Sequence, residues 1–142
     1  MGNMFNNYPQ PAGYVPNNRI KTIDKFELDI MTGESASHTF EVSFDVMGEC
    51  SNVEVIYKVG LEVALIKDES QLDIEPEPVA SGETPTYTFI TAHISPEETL
   101  LFNDTLLDTF VQLKFVLNGG DVLYTEIYPV NVVDSLDTGT QQ

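Results

Sequence analysis

The chain has 142 residues, 42% of them hydrophobic, and sets 23 Asp and Glu against six Lys and Arg, for a formal net charge of −17. A chain this acidic lacks the basic side chains that displace counterions from nucleic-acid phosphates or settle on anionic bilayers, so neither nucleic acid nor a membrane is an expected partner, while a basic protein is compatible. The single cysteine, Cys50, excludes an intramolecular disulfide and favours a reducing, cytoplasmic setting; no apolar leader opens the chain, and no apolar run approaches the ~18 residues of a membrane span.

Residues 1–18, MGNMFNNYPQPAGYVPNN, carry no charged side chain, although they precede a body that holds every charge of the chain. Too poor in aliphatics to fold alone, they read as an extended arm that lies against another protein. Phe5, Tyr8, Tyr14 and Val15 are its candidate partner-binding residues, entering pockets while Asn side chains bond to backbone. Gly2 does not make a myristoylation signal, because Asn6 stands where Ser or Thr is required. Residues 19–133 form one domain of common size, and residues 134–142 a flexible acidic tail.

Period-2 alternation runs through the body. Phe26, Leu28 and Ile30 predict a strand over 20–30; Phe40, Val42, Phe44 and Val46 predict its neighbour over 38–47. Gly33, between them, marks a hairpin or a short crossing between sheets. Val53 to Ile66 is long for one strand and is split at Gly60. Residues 67–86 hold six carboxylates against Lys67, with Pro76, Pro78 and Pro85, and read as a long loop whose Leu72 and Ile74 touch a sheet edge. Tyr87 to Ile94 resumes alternation. Ser95-Pro96-Glu97-Glu98 then combines an N-cap, a helix-starting proline and a capping-box glutamate, predicting one or two helical turns over 96–102.

Two alternating runs between Val111 and Val133 flank Asn118-Gly119-Gly120-Asp121. A three-residue loop, Asn118 to Gly120 with Gly120 left-handed, pairs Phe115 with Leu123 and Val111 with Ile127. That register places Tyr124, Glu126, Tyr128 and Val130 together on the other face, and makes Tyr124 and Tyr128 candidate partner-binding residues.

Signals for chemistry are weak. His38, His93 and Cys50 stand apart without zinc-site spacing. Asp68, Glu69, Asp73 and Glu75 offer oxygens to calcium, but fit no EF-hand. No nucleophile elbow, phosphate loop or paired-histidine helix occurs, so no enzyme, cofactor or catalytic residue is expected.

About seven strands and one short helical segment predict an all-β antiparallel sandwich, Ig-like or fibronectin-like, with a jelly roll or small barrel as the alternative. The arm MGNMFNNYPQPAGYVPNN together with the hairpin VQLKFVLNGGDVLYTEIYPV resembles, in organisation, small accessory structural proteins of tailed-phage virions: capsid decoration, head-fibre, neck or baseplate components. The resemblance implies a non-enzymatic virion component, made in the host cytoplasm, that meets a major structural protein or copies of itself in an oligomeric assembly. Two other readings remain: an acidic nucleic-acid mimic that inhibits a basic host protein, and a cell-surface or carbohydrate adhesion module.

Overall fold

The computed structural model describes residues 20–22, 28–103 and 106–134. The strands in chain order are β1 (Ile20–Thr22), β2 (Asp29–Thr32), β3 (Ala36–Val42), β4 (Cys50–Val59), β5 (Glu62–Asp68), β6 (Leu72–Pro76), β7 (Thr88–Ile94), β8 (Thr109–Leu117), β9 (Val122–Tyr124) and β10 (Tyr128–Asp134). One sheet runs β1-β3-β7-β6; the other runs β2-β10-β8-β4-β5, with β9 also on β8. Lettered along the chain, the first is ABED, and the second is GFC extended by C′, the strand order of an immunoglobulin-type sandwich. The all-β, Ig-like prediction therefore describes the fold. Among the described residues ten strands stand in place of the seven expected, and the β2–β10 pairing is parallel.

The sandwich forms because alternate side chains of both sheets turn inward. In β7, Thr88, Ile90, Ala92 and Ile94 are buried, and they meet Val53, Val55 and Tyr57 of β4 and Val111, Leu113 and Phe115 of β8 in one core. Removing each of the large side chains from water contributes roughly 1.5–3 kcal/mol. Aromatic rings lock the middle edge to face: Phe44 on Phe115 at 5.5 Å, and Tyr57 on Phe102 at 5.7 Å.

Several boundaries differ from the alternation. The strand expected over 20–30 is two strands in different sheets, β1 beside β3 and β2 beside β10, so the Gly33 connection is a crossing between sheets. Phe26 lies outside the described residues. The strand expected over 38–47 ends at Val42, and Val46–Glu49 form a helical turn, α1, capped by the Asp45 carboxylate on the Gly48 N–H. Phe44 and Val46 stay buried at the end of the sandwich, which is why the apolar pattern runs past the strand.

The 67–86 loop is half strand. β5 continues to Asp68, a 3-10 turn spans Glu69–Gln71, and β6 pairs with β7 so that Leu72 lies opposite Ala92 and Ile74 opposite Ile90. The edge contact expected of these two residues is a full edge strand, with Pro76 at its end, where a missing ladder donor costs least. At Gly60 the chain reverses from β4 into β5 through a two-residue loop, and φ +63 there is a backbone state that suits glycine. The helical prediction holds as well. α2 (Pro96–Thr99) has the complete Ser95/Glu98 capping box and runs into a 3-10 turn, Leu100–Phe102, which buries Phe102.

The last hairpin keeps half of its expected register. Gly120 has φ +98, the Leu117 N–H donates to the Asp121 carbonyl, and Phe115 faces Leu123. Beyond Tyr124 the strand breaks: Thr125 bonds to Leu113 with both its N–H and its hydroxyl, and Tyr128 rather than Ile127 lies opposite Val111. One extra residue has entered the strand, a bulge that inverts side-chain parity. Tyr128 and Val130 therefore belong to the core and do not share a face with Tyr124.

Candidate functional site

The arm residues Phe5, Tyr8, Tyr14 and Val15 lie outside the described residues. Of the two hairpin tyrosines, Tyr124 sits opposite Lys114 on the outer face of its sheet, whereas Tyr128 is buried and is no contact residue.

His38 is part of the core. Its Nε2–H donates to the Asp29 carbonyl at 2.8 Å, so the neutral ring accepts the Tyr57 hydroxyl at Nδ1, 2.7 Å away. This pair of bonds ties β3 of one sheet to β2 and β4 of the other. Burial holds the Tyr57 hydroxyl far above its usual pKa.

The fold also assembles a group that the sequence spacing conceals. On the outer face of β3, β7 and β6, Ser37 Oγ lies 2.9 Å from His93 Nδ1, and His93 Nε2 lies 2.6 Å from Asp73 Oδ2. Ser37 and His93 are directly opposite in the ladder, and Asp73 stands opposite Thr91 on the next strand, so only the register reveals the trio. The carboxylate fixes the tautomer that lets Nδ1 accept the serine proton. Acyl transfer needs more, namely donors aimed at a developing oxyanion. Here the strand N–H groups lie in the plane of the sheet, away from the face carrying the trio, and the His93 and Asp73 side chains are 57% and 68% exposed to water. The arrangement is a solvated cross-strand network.

No three His, Cys, Asp or Glu side chains gather into a metal-binding group among the described residues. The four calcium candidates have separated: Asp68 caps the 3-10 turn through Ser70, and Asp73 is held by His93. Cys50 lies half-buried in a cleft with Met47, Leu72 and Ile74. No described helix is long and apolar enough to cross a membrane.

The pair of Lys67 and Glu98 is structural. Lys67 Nζ donates to both Glu98 oxygens at 2.7 and 2.8 Å, and the Ser95 N–H adds a third bond at 2.9 Å. Together these hold the Glu98 carboxyl below its usual 4.5, with the Lys67 bond the largest cause. A depressed carboxyl stabilises the fold above its unfolded pKa, and that contribution is lost as pH falls through the folded value. Chemical denaturation of wild type between pH 7 and pH 2 should therefore show a stability loss beginning below about pH 4.5 that is shallower in Glu98→Gln. Identical slopes would remove Glu98 from the acid transition.

The surface is most unusual where β4 turns into β5. Leu61 and Leu106 are 84% and 92% exposed, and Val63 and Leu107 are half exposed or more. Leu61, Val63 and Leu107 line one groove, the Gly60 N–H is tied to the Asp108 carbonyl at 2.8 Å, and β5 packs beside the Leu100–Phe102 turn. Exposed aliphatic side chains gathered around one groove are unusual on a domain this acidic. The sequence carried this signal as LEV and TLL, but without the fold nothing brings the two segments together. What the fold and this end define is an acidic immunoglobulin-order sandwich with an apolar pole. No protein-family model matches the chain, and no curated protein matches it.

Proposed function

We propose that the protein is a non-enzymatic structural protein that works by docking: an Ig-like module seated on a neighbouring subunit of an assembly. In its specific form the reading is an accessory component of a virion capsid or tail, with the N-terminal arm adding to the contact. The leucine-rich pole carries it, because exposed aliphatic side chains gathered around one groove are the kind of surface that a partner covers. The acidic-inhibitor reading has less support, since the carboxylates of 68–77 are spent on capping a turn, holding His93 and Thr86, and charging the exposed edge strand β6.

Co-sedimentation with particles purified from the producing host tests this reading. The full chain should travel with the particles. Leu61→Ser with Leu106→Ser should weaken retention more than tenfold, each leucine contributing about 1.5–3 kcal/mol. Deletion of residues 1–18 should weaken it with the melting transition unchanged. A full chain that stays in the soluble fraction would sink the virion reading.

A further inference from the structure

The two ends of the sandwich are not alike. At one end Ile20 of β1, Val42 of β3 and Thr88 of β7 stand in register across their sheet, and α1 lies beside them, its Val46 N–H on the Thr88 hydroxyl. From α1 the chain enters β4 at Cys50 and runs ten residues to Val59, some 30 Å at ~3.3 Å per residue. The groove of Leu61, Val63 and Leu107 beside Gly60 therefore opens at the opposite end. Because β1 is antiparallel to β3 and starts at Val42, the chain enters it at the end that the groove does not occupy.

Residues 1–18 hold Phe5, Tyr8, Tyr14 and Val15 and no charged side chain. Seating such a side chain in an apolar groove is worth about 1.5–3 kcal/mol, and it brings no carboxylate up to a receiving body of strong negative charge. Reach decides whose groove is filled. Tyr14 and Val15 precede Ile20 by six and five residues, at most about 20 Å of extended chain, which falls short of the groove at the far end of the same body. A copy standing end to end with the first brings its groove to the place where β1 begins. The eighteen residues span up to roughly 60 Å when extended, so the two acidic bodies stay farther apart than the ~8–10 Å over which salt screens their repulsion.

We propose that residues 1–18 of one copy seat their aromatic side chains in the Leu61–Leu107 groove of the next, so that copies of this chain join head to tail. The inference rests on the leucine pole being a contact surface and names what covers it. Each copy gives an arm at one end and a groove at the other, so the contact is heterologous, and it closes into a ring or continues as a filament.

Light scattering after size exclusion tests it. Wild type should form species at multiples of 15.8 kDa that grow with concentration. A chain lacking residues 1–18, and a chain carrying Leu61→Ser with Val63→Ser, should each be monomeric with the melting transition unchanged, since both side chains are more than half exposed. Mixed, these two monomers should form a one-to-one pair and stop there, because the first supplies only a groove and the second only an arm. Phe5→Ser, Tyr8→Ser and Tyr14→Ser together, placed in the second chain, should raise the dissociation constant of that pair at least tenfold. A wild type that is monomeric at every concentration, a truncated chain that still associates, or a mixture that stays monomeric would each overturn the proposal. A monomeric wild type that still travels with particles would overturn it and leave the docking reading standing.

Discussion

Replacing Phe102 by alanine should lower the stability of the domain by roughly 3–5 kcal/mol, the cost of a large aromatic deleted from a core that collapses only in part. The ring is fully buried and lies edge-on to Tyr57 at 5.7 Å, at the point where the 3-10 turn closes the space between the sheets. A domain of this size has about 5–15 kcal/mol in total, so the variant should melt some ten degrees or more below wild type. Tyr57→Phe separates packing from bonding at the same place. It keeps the ring contact and deletes the hydroxyl that His38 accepts, and should cost about 1–3 kcal/mol. Urea midpoints for the two variants give the order directly. A Phe102→Ala variant less affected than Tyr57→Phe would mean that the turn is peripheral to the core.

Glu98→Gln should destabilise more than removal of the lysine it holds. Lys67 is 8% exposed along its side chain and Glu98 29%, so the ammonium is the member that suffers when left alone. Deleting one partner of a buried pair costs about 3–5 kcal/mol, and the open side of Glu98 brings this toward roughly 2–3. The glutamine can still reach the Ser95 N–H, so the loss reports the stranded charge and not the helix cap. Lys67→Met keeps the buried stem and removes the charge, and should stay within about 1 kcal/mol of wild type. Equal losses in both variants would show that the pair acts by attraction alone. The pair joins β5 of one sheet to the loop leaving β7 of the other, and Lys67 had read as the lone cation of an acidic loop.

What the sequence made legible was whatever depends on local chemistry. Gly60 and Gly120 mark turns because their φ values exclude most side chains, and Ser95, Pro96 and Glu98 start a helix whatever surrounds them. Errors arose where the outcome depends on partners distant in the chain. Phe44 and Val46 keep the apolar rhythm of β3, yet their backbone bonds go to the Thr88 hydroxyl instead of a strand ladder, and the Asp45 cap turns the chain into α1. The bulge before Tyr128 gave no signal, because Thr125 closes it with a hydroxyl bond that any threonine offers. At the surface, the leucine pole and the Ser37-His93-Asp73 trio needed the register of several strands before they existed as groups.

The parallel pairing of β2 with β10 reaches into the order of events during synthesis. Asp29 and Asn131, which share a side-chain bond at 3.2 Å, lie 102 residues apart. At ~5–20 residues per second, β2 leaves the ribosome some 5–20 seconds before its partner strand exists. Through that interval Ile30, fully buried in the finished domain, has no sheet to enter, and closing so long a loop is the slow kind of step in folding. The nascent chain is thus held open along one sheet edge until nearly the last strand has been made, and that window is when a chaperone or a second nascent copy has access to it.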